Sequence, residues 1–140
     1  MWLYLRGLSF FAGRSFLLLE TTGRSTRKLR LTPLGYIRWG DRFLLQPLHG
    51  AKSDWVRNVE LQPEITIWLG RGRLNGTAMV ISTTEERLRA LRIVASSKTT
   101  GGLIARRHFS LLLNAGPAAL DEASQDVSKA IIVVDVHGLA

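Results

Sequence analysis

The feature that most constrains this 140-residue chain is a basic turn, residues 23–30, enclosed by two strand-like runs. The first run, FLLLETT over residues 16–22, is apolar and β-favouring, and it ends at Gly23, a residue free to take a positive φ. The second run, residues 29–39, alternates apolar and polar side chains as a half-buried strand does. The pattern predicts a β-hairpin whose turn is strongly basic.

The composition of this turn is typical of an anion-binding site. It combines four cationic side chains with two hydroxyls: Arg24, Arg27, Lys28, Arg30, Ser25 and Thr26. Several such donors can converge on one phosphate or carboxylate. The whole chain carries a formal net charge of +8, supplied mostly by arginine, so an anionic partner is expected. A solvated basic hairpin without a ligand remains the alternative.

Composition also excludes several kinds of site. The chain has no cysteine, which excludes disulfides, thiolate metal sites and a cysteine nucleophile. Its three histidines, His49, His108 and His137, lack ligand spacing, so no metal site is expected. The basic residues form no long run and accompany no helix-turn-helix, zinc-finger or RNP-like motif, so nucleic acid is a poor candidate partner. No residue is identified as catalytic.

Residues 2–12 have the pattern of a short amphipathic helix, which Gly13 ends. Its apolar span is far shorter than the roughly 20 residues that cross a bilayer, and a small-residue cleavage site is lacking. We therefore expect a cytoplasmic chain that folds as one domain over residues 1–140. The helix has two candidate uses, core packing and peripheral contact with a membrane.

Downstream, periodicity predicts further strands at residues 43–48, 64–69, 73–82 and 130–136. The last is apolar on both faces, which places it in the middle of a sheet. Within residues 29–39, Pro33 cannot donate to a ladder and, with Gly35, indicates an edge, a bulge or a place where a ligand lies against the backbone. Six mostly antiparallel strands with flanking helices predict an α+β fold, a small closed or split β-barrel.

Helices are predicted in two regions. Ser53 or Asp54 caps a short helix that runs to about residue 61, in which Trp55 is either core or the wall of a ligand site. Thr83 to Glu86 has capping-box form and starts a helix that ends near residue 96. A break at 98–102 precedes a second helical stretch at 103–113, so the helical insertion covers about residues 84–115. Residues 118–128 carry no clear pattern.

An ordered set of motifs then supports a family resemblance. The chain has LLETTGR at 18–24, RLTPLGY at 30–36, GDR at 40–42 and HGAxxxWxxN at 49–58. Over about residues 16–95 it resembles the deazaflavin-dependent nitroreductase and quinone reductase family. The resemblance implies a split β-barrel that binds coenzyme F420, a deazaflavin with a phosphate and an anionic oligoglutamate tail. It also implies hydride transfer from the reduced cofactor to a quinone, nitro compound or similar small-molecule acceptor.

The resemblance also assigns cofactor-binding residues. The turn and second strand would hold the phosphate end and one face of the deazaflavin, through Arg24, Ser25, Thr26, Arg30, Thr32, Pro33 and Leu34. The second wall would come from the loop and helix after the third strand, through His49, Gly50, Ala51, Lys52, Trp55 and Asn58. Two positions depart from the family pattern: Arg27 stands where the turn usually has a second glycine, and the C-terminal helical region has no tyrosine.

Other readings stay open at this point. The same fold could bind FMN or haem in place of F420. A different class of function is a non-catalytic protein that binds an anionic cofactor, nucleic acid or a membrane through its arginines. The sequence does not decide between a monomer and a homodimer.

Overall fold

The structure is a computed structural model that describes residues 16–45, 53–70 and 72–139. Its first two strands form the predicted hairpin. Strands β1 (Phe16–Thr22) and β2 (Leu29–Trp39) have the predicted bounds and pair antiparallel from Thr22↔Leu29 to Phe16↔Gly35. The helix expected at residues 2–12 lies outside the described residues. So do residues 46–52, which include four of the predicted site residues: His49, Gly50, Ala51 and Lys52.

Six strands of the described chain close into one antiparallel barrel. The other four are β3 (Arg42–Leu45), β4 (Glu64–Leu69), β5 (Gly72–Val80) and β6 (Ile132–Leu139). The order around the barrel is β1-β2-β3-β6-β5-β4, and β4 pairs with β1 to complete it. The predicted α+β barrel of six antiparallel strands is therefore confirmed.

Strand β2 changes partner half-way along its length. Residues up to Gly35 pair with β1, whereas Tyr36 to Trp39 pair with β3. Pro33 lies opposite Leu18 in an unbroken register, so it forms no bulge. In these pairings its half of the strand has a neighbour on one side only, which is the edge that a proline tolerates.

The barrel carries a hydrophobic cluster on each face of its wall. The inner cluster contains Leu17, Leu19, Ile67, Ile132 and Val134, and the outer cluster forms where helices cover Ile37, Leu44 and Val133. Alternate residues of β6 contribute to both clusters, and this strand lies between β3 and β5. The prediction of a last strand buried on both faces is confirmed.

Four helices lie within the described residues: α1 (Asp54–Leu61), α2 (Thr84–Ser96), α3 (Thr100–Phe109) and α4 (Pro117–Gln125). The first two have the predicted bounds, and the Thr83 hydroxyl accepts from the backbone N–H of Glu86 as the capping box requires. Ser53 occupies the N-cap of α1 without a side-chain cap bond. None of these helices is long and apolar enough to cross a bilayer.

The boundaries of α3 and the existence of α4 differ from the sequence prediction. The predicted break at 98–102 is wrong in its second half, because Thr99 caps a helix that already includes Gly101 and Gly102. The helix also ends earlier than residue 113, at a left-handed Ser110 with φ 56°. The unassigned segment forms α4, which starts with a proline in its first turn and buries Leu120.

Candidate functional site

The basic turn is closed by its own backbone. The N–H of Gly23 donates to the carbonyl of Lys28 and the N–H of Arg27 donates to the carbonyl of Gly23, both at 2.8 Å. A Cβ on Gly23 would lie 2.7 Å from the hydroxyl oxygen of Thr26 and 3.3 Å from the carbonyl oxygen of Lys28, so a larger residue here would have to displace the Thr26 side chain. The positive φ in the turn belongs to Arg27, with φ 56°, at the position where the family usually has glycine, and Gly23 does not use its freedom to take one.

Arg24 anchors the turn to α1. Its backbone N–H and its Nη1 both donate to Oδ1 of Asn58 at 3.1 Å, and its Nη2 lies 3.3 Å from Oδ1 of Asp54. Asn58 is only 2% exposed. Two residues that the sequence assigned to cofactor binding therefore bind each other in the free protein.

The other cations of the turn are available to a ligand. Arg27, Lys28 and Arg30 are exposed, and none forms an ion pair with an acidic residue of the described chain. Asp54, the acidic residue beside the turn, is already paired with Arg24. Within the turn, the positive charge that can meet an anion therefore lies at residues 27–30.

Three adjoining cavities formed by described residues extend from the turn along β2. The turn cavity, about 90 Å³, is lined by Gly23, Arg24, Ser25, Thr26, Arg30, Asp54 and Asn58. The central cavity, about 450 Å³, shares Arg30, Asp54 and Asn58 with it. The apolar cavity, about 140 Å³, shares Pro33 and Leu34 with the central one. Together they form a path that begins among cations and ends among hydrocarbon side chains.

The central cavity brings together residues from both predicted walls. Thr32, Pro33 and Leu34 of β2 line it together with Trp55 and Asn58 of α1. Trp55 is 7% exposed and also belongs to the inner cluster, so it is both core and cavity wall. The two readings of this side chain are compatible, because one face of a large ring can pack while another edge faces a cavity.

Sequence reasoning missed Thr21, which also lines the central cavity. Leu17 and Leu19 belong to the inner cluster, and Thr21 follows on the same face of β1. A polar residue at the next inward position of an apolar strand is the signal that could have identified it.

The apolar cavity lies between β2 and α3. Tyr36 and Leu45 line it from the barrel, and Gly101, Ile104 and Phe109 line it from the helix. Its volume of about 140 Å³ is close to that of an apolar protein cavity of roughly 150 Å³ that holds one benzene ring. A single six-membered ring or a short hydrocarbon chain therefore fits it.

The family model described as F420H(2)-dependent quinone reductase matches residues 7–101. An F420H(2)-dependent quinone reductase of Mycobacterium tuberculosis is 37% identical over 65 residues, and the match covers 44% of each chain. The chain therefore aligns with less than half the length of this curated relative.

Solved structures share the fold. An F420-H2 dependent reductase of the FDR-A type superposes with a TM-score of 0.58 at 21% identity, covering 86% of this chain and 94% of that one. The haem storage protein HutZ of Vibrio cholerae superposes with a TM-score of 0.55 at 12% identity, covering 94% and 88%. At these identities the structures establish the barrel alone, whereas the family model covers more than half of the sequence. The chain belongs to the F420H(2)-dependent quinone reductase family.

Proposed function

We propose that this protein is an F420H2-dependent reductase that binds the cofactor along β2 and transfers hydride to a quinone, a nitro compound or a similar acceptor. Membership of the family supports the choice of cofactor. The observation that carries the proposal is the path of three adjoining cavities, cationic at the turn and apolar between β2 and α3.

The residues fit a long cofactor that is anionic at one end and flat at the other. Arg30 and the hydroxyls of Ser25 and Thr26 would hold the phosphate at the turn cavity, and Arg27 and Lys28 would face the oligoglutamate tail. The deazaflavin would occupy the central cavity, between β2 residues Thr32, Pro33 and Leu34 and the α1 residues Trp55 and Asn58. His49, Gly50, Ala51 and Lys52 complete this proposed site.

When bound, the reduced deazaflavin supplies the hydride, so the protein has to orient the reactants and exclude water. Trp55 and Leu34 are buried and present apolar surface to the central cavity. The apolar cavity adjoins it at Pro33 and Leu34, which makes it the proposed position for the ring of the acceptor. We assign no catalytic residue: in this proposal the hydride comes from the cofactor, and the proton that completes the reduction of a quinone to a hydroquinone comes from solvent.

The direct test is a comparison of cofactors. We expect equilibrium titration of the purified chain to give a lower dissociation constant for F420 than for FMN, followed by oxidation of reduced F420 when a benzoquinone is added. A haem or FMN complex that forms more tightly than the F420 complex would contradict the proposal. Binding of F420 without turnover of any quinone or nitro acceptor would leave a non-catalytic binding protein.

Arginine variants test the location of the site. Arg30→Ala should weaken F420 binding by about 1.5–3 kcal/mol, the usual contribution of a hydrogen bond to a charged group. Arg24→Ala should instead lower the melting temperature, since it removes the side-chain contacts of Arg24 with Asn58 and Asp54. Arg57→Ala is the matched control for net charge, because Arg57 is exposed on α1 and lines none of the three cavities. Equal effects of Arg30→Ala and Arg57→Ala would place the anion elsewhere.

A further inference from the structure

Thr21 is a polar residue in an apolar position. It lies on β1 directly opposite Arg30 of β2, and it is only 2% exposed. The two preceding residues on its face, Leu17 and Leu19, are fully buried in the inner cluster. The local pattern of the strand therefore favours an apolar side chain here.

The hydroxyl of Thr21 is buried and has no partner in the part of the chain that the structure describes. Its Oγ1 forms no hydrogen bond with any residue that the structure describes. A buried hydroxyl without a partner opposes folding, whereas valine would fill nearly the same volume without that penalty. Among the described residues, no contact of the hydroxyl offsets this cost to the stability of the free protein.

The surroundings of Thr21 indicate what the hydroxyl is for. The residue lines the central cavity together with Thr32, Trp55 and Asn58, at the site where the proposed function places a flat heteroaromatic ring. Deazaflavin rings carry carbonyl and N–H groups along one edge, and a threonine hydroxyl can both donate and accept. Rotation about the Cα–Cβ bond moves this hydroxyl between staggered positions, so a ligand in the cavity can recruit it.

We infer that Thr21 is a cofactor-positioning residue whose hydroxyl bonds the polar edge of the ring. This inference rests on the proposed function and adds a contact that neither the basic turn nor the α1 wall supplies. It predicts opposite effects of one substitution on stability and on binding, because the hydroxyl has no partner among the described residues of the free protein and gains one in the complex.

The test compares Thr21→Val, Thr21→Ser and wild type. Thr21→Val should raise the melting temperature by about 3 °C, the size expected for one kcal/mol in a chain of this length. It should also weaken F420 binding by about 3- to 10-fold, which corresponds to one neutral hydrogen bond. Thr21→Ser keeps the hydroxyl and should bind as wild type does.

Thr66→Val is the matched control. Thr66 is 9% exposed in the barrel wall, its hydroxyl is 3.4 Å from Oδ1 of Asn75, and it lines none of the three cavities. This variant should keep the affinity for F420 and should not gain stability, since it removes a hydroxyl that has a partner.

A second ligand separates the ring from the anionic groups. The affinity for the deazaflavin chromophore without phosphate and glutamates should fall by the same factor in Thr21→Val as the affinity for F420. Arg30→Ala should weaken the binding of intact F420 only. If Thr21→Val binds F420 with wild-type affinity, whether or not its melting temperature falls, the inference is overturned and the proposed function still stands. Failure of wild type to bind F420 at all would overturn both.

Discussion

Gly101 packs its backbone against the carbonyl of Tyr36 so closely that a Cβ at Gly101 would overlap the Tyr36 oxygen. Tyr36 is the first residue of β2 that pairs with β3. The contact therefore positions the first turn of α3 at the point where β2 changes partner, and it sets the width of the apolar cavity, which both residues line.

Gly101→Ala should destabilise the protein by about 1–3 kcal/mol, because the methyl group forces α3 away from β2. Alanine is otherwise the better helix former, so a loss of stability isolates the steric effect. Gly116→Ala is the control, since a Cβ there meets no atom within 4 Å. Urea unfolding measures the stability of both variants. If Gly101→Ala is as stable as Gly116→Ala, α3 can move away from β2 without loss of stability.

Two substitutions of Arg27 distinguish the effect of its charge from the effect of its backbone strain. Its φ of 56° disfavours residues with a Cβ, so Arg27→Gly should leave stability unchanged or raise it by up to about 1 kcal/mol. Arg27→Ala keeps the strain and should not stabilise. If the guanidinium contacts the anionic tail, both variants weaken F420 binding equally, and titration checks this. Unequal losses of affinity would mean that the turn geometry, rather than the charge, governs binding.

Arg87 connects α2 to the C-terminal end of α4 and to the segment that follows it. It is 2% exposed and donates to the carbonyls of Ser124, Asp126 and Lys129 at 2.8, 2.8 and 3.1 Å. Arg87→Met should cost at least about 3 kcal/mol of folding free energy, because one buried carbonyl and two part-buried carbonyls lose their donor. Arg89→Met, on the same helix, should cost at most about 0.5 kcal/mol, since its pair with Glu85 is exposed. Chemical denaturation that ranks the two variants equally would contradict the role of Arg87.

His108 makes stability depend on pH. Burial, reinforced by Lys129 and opposed by Asp126, lowers the pKa of His108 below its ordinary value of 6.5. The unfolded chain then binds the proton more readily than the folded one, so stability is full above pH 6.5 and falls as the pH drops through the folded pKa. Thermal unfolding between about pH 7.5 and 5 should show this slope, and His108→Gln should remove it.

Asp126 titrates in a different pH window from His108, which keeps the two effects distinct. A hydrogen bond from the Ser128 hydroxyl is the main cause that lowers the pKa of Asp126 below 3.8, so its contribution is lost only in stronger acid. A slope near pH 6 that persists in His108→Gln would point to another group.

Local patterns in the sequence were sufficient for much of the fold. The alternation and the breaks that bound β1, β2, β4 and α1 act within a few residues, and their predicted bounds match the structure. The double-sided apolar run of β6 likewise predicted its central place in the barrel. The cofactor family could also be inferred, because its motifs are short and keep their order along the chain.

Tertiary contacts decided what local pattern could not. Asn58 and Arg24 are 34 residues apart, so no short-range rule could show that they pair and leave Arg27, Lys28 and Arg30 to a ligand. The start of α3 depends on the fit of Gly101 against Tyr36, which outweighs the weak helix propensity of two glycines. The buried hydroxyl of Thr21 acquires significance only when α1 closes over it to form the central cavity. Local backbone preferences are set by neighbours in sequence, whereas partners and cavities arise from the packing of distant segments.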